Sequence, residues 1–102
     1  MSGEYKIRYL KTAECDLYGI FDYISQDNPS AAASLLEKID SSISLLASHP
    51  YMGVVPKDVR LKEKGYRMLV VDKYLVFYVV KDKGKTVQVR RIIHGARKYN
   101  FL

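Results

Sequence analysis

Residues 66–94 read YRMLVVDKYLVFYVVKDKGKTVQVRRIIH, and this stretch decides the fold. It holds three runs rich in β-branched and aromatic residues, Tyr66–Val71, Tyr74–Val80 and Thr86–His94. Such runs, bounded by turn residues, read as strands. Asp72-Lys73 and Asp82-Lys83-Gly84-Lys85 separate them, and Gly84 can take the positive φ that a tight turn needs. Connections this short impose antiparallel pairing. The middle run is almost wholly apolar, as suits a central strand covered on both faces. Gly95 ends the last strand and leaves a tail from Ala96 to Leu102.

The periodicity changes upstream. Ala13, Leu17, Ile20, Phe21 and Ile24 recur at helical spacing with Glu14, Asp16 and Asp22 between them. That helix ends near Asp27, because a residue before proline avoids the helical region. Asn28 then caps a second helix with Pro29 in its first turn. Its apolar stripe is Ala32, Leu35, Leu36, Ile39, Ile43 and Leu46, and His49-Pro50 stops it after about Ser48. The short link makes the two helices an antiparallel hairpin. Ahead of them, Tyr5 to Leu10 alternates like a half-buried strand. Residues 50–65 carry Pro50, Gly53, Pro56 and Gly65 and read as a loop. The expectation is one α+β domain over residues 1–102, ordered β-α-α-β-β-β. The helix hairpin lies on one face of a small antiparallel sheet, since neither layer can hide its apolar surface alone.

Composition narrows the class. The chain has 102 residues, 48% of them hydrophobic, enough for one modest core. It has no apolar run long enough to span a membrane and no apolar segment after Met1-Ser2-Gly3-Glu4, so a soluble cytoplasmic protein is expected. Its single cysteine, Cys15, excludes an intrachain disulfide and a cysteine-based zinc site. No Gly-rich phosphate loop or metal-ligand spacing is present, so no cofactor is expected. The net charge of +6 is unevenly spread: residues 1–50 hold four Lys/Arg against seven Asp/Glu, and residues 51–102 hold thirteen against four. A net −3 half beside a net +9 half points to an acidic partner or a nucleic acid met by the second half.

Four stretches, in order, resemble the RelE/ParE superfamily of toxins. They are Asp16 to Ile24, Ile43 to Gly53 with its His49-Pro50 and Met52-Gly53, Tyr66-Arg67 with Tyr74 to Val79, and Val89 to Arg97. The resemblance covers almost the whole chain and implies the same β-α-α-β-β-β fold. It also implies a toxin neutralised by a cognate acidic antitoxin. RelE-like members cut messenger RNA on the ribosome, whereas ParE-like members inhibit DNA gyrase without being nucleases. The long hairpin, the His49-Pro50 loop and the His94-Gly95-Ala96-Arg97 ending lean to the ParE side.

The nuclease alternative can be tested on chemistry. Cleavage through a 2′-hydroxyl needs a base, an acid and cations facing the charged transition state. By resemblance, Arg67 and Arg97 fall where two of those cations stand, and Tyr99 falls near a useful stacking or acid/base position. The third cation position reads Leu75. His94 has the titration range for proton transfer, although a ring hydrogen bond holding the turn at Gly95 is the favoured reading, because the ParE-like pattern it resembles has His there without nuclease activity. Catalytic candidates, only if the chain is a nuclease, are therefore His94, Arg67, Arg97 and Tyr99. Candidates for target or antitoxin binding are Lys73, Arg90, Arg91, Arg97 and Lys98. Arg90 and Arg91 should point to opposite faces, one outward and one toward the helix layer, with Asp72 or Asp82 as possible salt-bridge partners.

Overall fold

The computed structural model describes residues 4–95. Its elements are β1 (Lys6–Tyr9), α1 (Lys11–Ser25), α2 (Pro29–Ser44) with a 3₁₀ turn at Leu45–Ala47, α3 (Val59–Glu63), β2 (Tyr66–Val71), β3 (Tyr74–Lys81) and β4 (Thr86–His94). The Asn28 side chain accepts a hydrogen bond from the Ala31 N–H at 3.1 Å, and Pro29 follows as the first helical residue. Helix start, cap and proline thus agree with the sequence.

The sheet order is β1-β4-β3-β2. β2, β3 and β4 form the antiparallel meander, with Gly84 at φ +104° in the second turn. The sheet is mixed, however, because β1 joins β4 in parallel. A parallel neighbour requires a long crossover, and the chain supplies it through the helix hairpin, α3, β2 and β3. This pairing places Lys6 opposite Thr86 and Arg8 opposite Gln88, so the first residues of the chain lie beside its last strand.

The main core lies between hairpin and sheet. Ala13, Ile39, Ile43 and Leu46 from the helical side meet Val71, Val76, Tyr78, Val87, Val89 and Ile92 from the sheet. The other face is partly covered as well. Residues 50–65, expected as a loop, contain an isolated bridge from Val54 to Met68 and the short helix α3. Asp58 caps α3 by accepting from the Arg60 N–H, and Leu61 is buried against Tyr66, Phe77, Val79 and Ile93. A single buried leucine in five residues leaves no readable period, which is why the helix is hidden in the sequence. β3 is consequently buried on both faces, as its apolar run requires. Among the described residues no helix is long and apolar enough to cross a membrane.

Candidate functional site

The arginines of the second half take very different positions. Arg67, on the edge strand β2, turns into the loop that follows the hairpin. One of its terminal nitrogens donates to the Tyr51 carbonyl at 3.0 Å and the Gly53 carbonyl at 2.8 Å, and its guanidinium lies 4.9 Å over the Tyr51 ring. Tyr78 completes this clamp from β3. Its hydroxyl donates to the Pro50 carbonyl at 2.9 Å and accepts from the Gly53 N–H at 3.0 Å. Burial pushes the Tyr78 phenol above its usual range. A Cβ at Gly53 would stand 2.6 Å from that hydroxyl and 2.8 Å from the Met68 carbonyl, so only glycine fits. The glycine of the Met52-Gly53 pair singled out in the sequence is therefore a packing requirement of the loop, whereas Met52 is exposed.

Arg90 and Arg91 do not take opposite faces as expected, because a β-bulge falls between Val89 and Ile92, which both pack in the main core, and leaves the two arginines on the side of Tyr66 and Phe77. Phe77 pairs with Arg91 and Tyr78 with Val89, leaving Arg90 as the extra residue. Arg91 reaches α1 and grips Asp16 with two hydrogen bonds of 2.8 and 3.0 Å, while the same carboxylate accepts from the Ile92 N–H at 2.9 Å. Both side chains are largely buried, at 24% and 15% exposure. Thr12 adds a hydrogen bond to the Arg90 carbonyl at 2.9 Å. Beyond Leu10, then, α1 caps the β4 edge that β1 is too short to pair.

The expected carboxylates are committed elsewhere. Asp72 pairs with Lys38 at 2.6 Å. Asp82 accepts from the hydroxyls of Tyr5 and Tyr51. Those bonds hold the Asp82 carboxyl below its ordinary value and push the Tyr51 phenol up to about 12. Asp16 sits in the first half of the chain, among the polar residues between the apolar positions of the first helix. Nothing local links it to an arginine 75 positions away.

Lys73 lies in the β2–β3 turn, and its carbonyl accepts from the Gly95 N–H at 2.7 Å. That backbone bond closes the end of β4. His94 pairs across from Tyr74, with ring centroids 5.4 Å apart and the planes at 80°. Leu75 packs into the smaller cluster around Phe77. Arg97, Lys98 and Tyr99 lie outside the described residues. Among the described residues no general base and cation group gather around one point: Arg67 faces the loop, Arg91 faces α1, and His94 stands at the end of β4.

On the hairpin's own surface, a groove of about 660 Å³ runs between α1 and α2. Leu17, Phe21 and Leu36 line it, with Glu14, Glu37 and Asp40 among its acidic members. Tyr9 closes one end by donating to Asp40 at 2.8 Å, and burial raises its phenol far above the usual range. This acidic, apolar groove and the basic sheet are two chemically opposite surfaces.

A hairpin laid on a β1-β4-β3-β2 sheet is the architecture of small toxins from type II toxin–antitoxin systems. The family model described as "ParE toxin of type II toxin-antitoxin system, parDE" matches residues 7–99, and the chain belongs to that family. It is 31% identical over 88 residues, 85% of each chain, to Toxin ParE1 of Caulobacter vibrioides. Among solved structures it is similar to the chromosomal ParDE toxin–antitoxin system from P. aeruginosa, with TM-score 0.73 and 22% identity over 91% of this chain and 98% of the other. It is also similar to the toxin-antitoxin complex RelBE2 from Mycobacterium tuberculosis, with TM-score 0.64 and 22% identity over 89% and 98%. At these identities the structural likenesses establish the fold.

Proposed function

We propose that the chain inhibits growth by binding DNA gyrase without enzymatic chemistry, and that a cognate antitoxin with an acidic arm holds it inactive. One observation carries this reading. Arg67 is committed to two loop carbonyls, Arg91 is committed to Asp16, and Leu75 is apolar. An RNA-cleaving centre needs cations aimed at the scissile phosphate, and among the described residues these positions offer none. The sheet is instead a docking surface, with Lys73, Arg90 and the tail cations Arg97 and Lys98 as contact candidates. The antitoxin covers part of the hairpin and part of residues 57–98, where charge favours an acidic partner.

The test sets a supercoiling assay with purified gyrase beside a translation reaction probed for cut message. Loss of supercoiling with intact message is expected. Codon-spaced cuts would replace this reading with a ribosome-dependent messenger RNA endoribonuclease, in which His94, Arg97 and Tyr99 would be mutated first. For the antitoxin, protection of residues 57–98 from hydrogen exchange in the purified complex is expected. A complex that left them all exposed would sink that part of the proposal.

A further inference from the structure

The face of the sheet turned away from the hairpin carries a second basic surface, half of it supplied by the net-acidic half of the sequence. Tyr5, Ile7 and Tyr9 pack against the main core. Alternation therefore turns Lys6 and Arg8 to the opposite face, and both are exposed. The parallel register sets them beside Thr86 and Gln88 of β4. Arg90 continues that row: it donates to the Gln88 side-chain oxygen at 2.9 Å and lies 5.6 Å over the Tyr66 ring. Lys81, opposite Thr86, extends the row onto β3. Among the described residues, Lys6, Arg8 and Arg90 make no ion pair. The nearby acids are engaged elsewhere, Asp82 by two tyrosines and Asp58 by Arg60. Glu63 belongs to α3, which neighbours β2 at the far edge of the sheet.

We infer that this row, Lys6, Arg8, Gln88, Arg90 and Lys81, binds the phosphate backbone of duplex DNA without reading its sequence. Cations two residues apart on a strand stand roughly 7 Å apart, and duplex DNA offers a phosphate about every 3.4 Å of axis on each strand. The row consists of donors with no exposed apolar residue among them. A protein partner needs an apolar or aromatic centre to hold it, whereas phosphates are held by cations alone. Single-stranded RNA is disfavoured on a separate ground. It is bound by stacking bases on exposed rings, and the aromatics of this face, Tyr66 and Phe77, are buried at 5% and 0% exposure. The inference goes beyond the gyrase reading: it concerns a nucleic acid rather than a protein partner, and Arg90 is the one residue the two readings share.

Fluorescence anisotropy of the full-length chain with a 24-base-pair duplex, across a salt series, tests it. Binding should weaken with salt. The variant K6Q/R8Q should lose affinity roughly tenfold and flatten the log–log salt slope by about 1.8, at about 0.9 per lost phosphate contact. The same charge change on the helix layer, K11Q/K38Q, should leave the slope unaltered. Thermal unfolding of each variant confirms the fold, and the single variants K6Q and R8Q should each give about half the slope change. The proposal is overturned by an unchanged slope in K6Q/R8Q, by an equal change in K11Q/K38Q, by tighter binding to a 24-nucleotide RNA of the same sequence, or by equal binding of polyglutamate.

Discussion

One sheet treats its cations in two opposite ways. Two arginines have internal partners: Arg67 holds the 51–53 loop, and Arg91 reaches around the β4 edge to hold α1. In the row beside them, Lys6 and Arg8 have none among the described residues, and Arg90 has a neutral amide and a ring face. Total charge does not distinguish these groups. What distinguishes them is whether a carboxylate or a row of carbonyls stands within reach once the strands have paired. Cations of the first kind should be measured in stability and those of the second in binding.

The largest expected effect tests the first half of that contrast. Asp16→Ala removes the partner of a largely buried guanidinium and of the Ile92 N–H together. Leaving one member of such a pair unsatisfied costs far more than the pair contributes, so a loss of about 2–3 kcal/mol is expected by urea denaturation. The double variant D16A/R91M should recover part of that loss, because it removes the stranded charge. If the double variant lost as much as the sum of both single variants, Asp16 and Arg91 would not be acting as a pair.

Arg67→Met should come next, at about 1 kcal/mol, for two charge-assisted bonds to carbonyls near the surface. Its signature is local. Amide exchange should accelerate through residues 50–54 while the β3 core is unaffected, since Tyr78 still holds Pro50 and Gly53 from beneath. Uniform acceleration across the sheet would mean that Arg67 supports the whole fold rather than its loop.

How much of this was legible in the sequence follows from the range of each interaction. The caps and breaks, Asn28-Pro29 and His49-Pro50, act within a few residues, and alternation sets strand faces residue by residue. These placed the helices and the three-strand meander. Asp16 and Arg91 meet only because the hairpin folds over β4, and no local rule joins them. The proximity of Asp72 and Asp82 to the strand turns suggested the wrong partners, which Lys38 and the tyrosines occupy. Lys6 and Arg8 were overlooked for a related reason. Charge counted by halves assigns them to the acidic part, although their alternation with Tyr5, Ile7 and Tyr9 already set them on the polar face. What counting could not supply was the parallel register that carries them next to Gln88 and Arg90.

The smallest expected effect concerns a group that belongs cleanly to neither kind. Asp82 is exposed, yet it accepts from Tyr5 and Tyr51 and so ties the β3–β4 turn to β1 and to the loop. Its depressed value means that its contribution is complete above the ordinary carboxylate value of 3.8 and is lost as pH falls through the lower folded value. Tyr51 has the opposite sign. Its phenol is raised, chiefly by the bond to Asp82, so its contribution holds below the ordinary value of 10.0 and is lost as pH rises through about 12. The Tm gap between the parent chain and D82N should therefore be widest at neutral pH and close toward both extremes. Solvent screening keeps it small, about 1–2 °C at its widest. A gap that stayed constant from acid to alkali would show that Asp82 acts by shape alone. The exposed cluster would then stand with the row of Lys6, Arg8 and Arg90 rather than with the internally paired arginines.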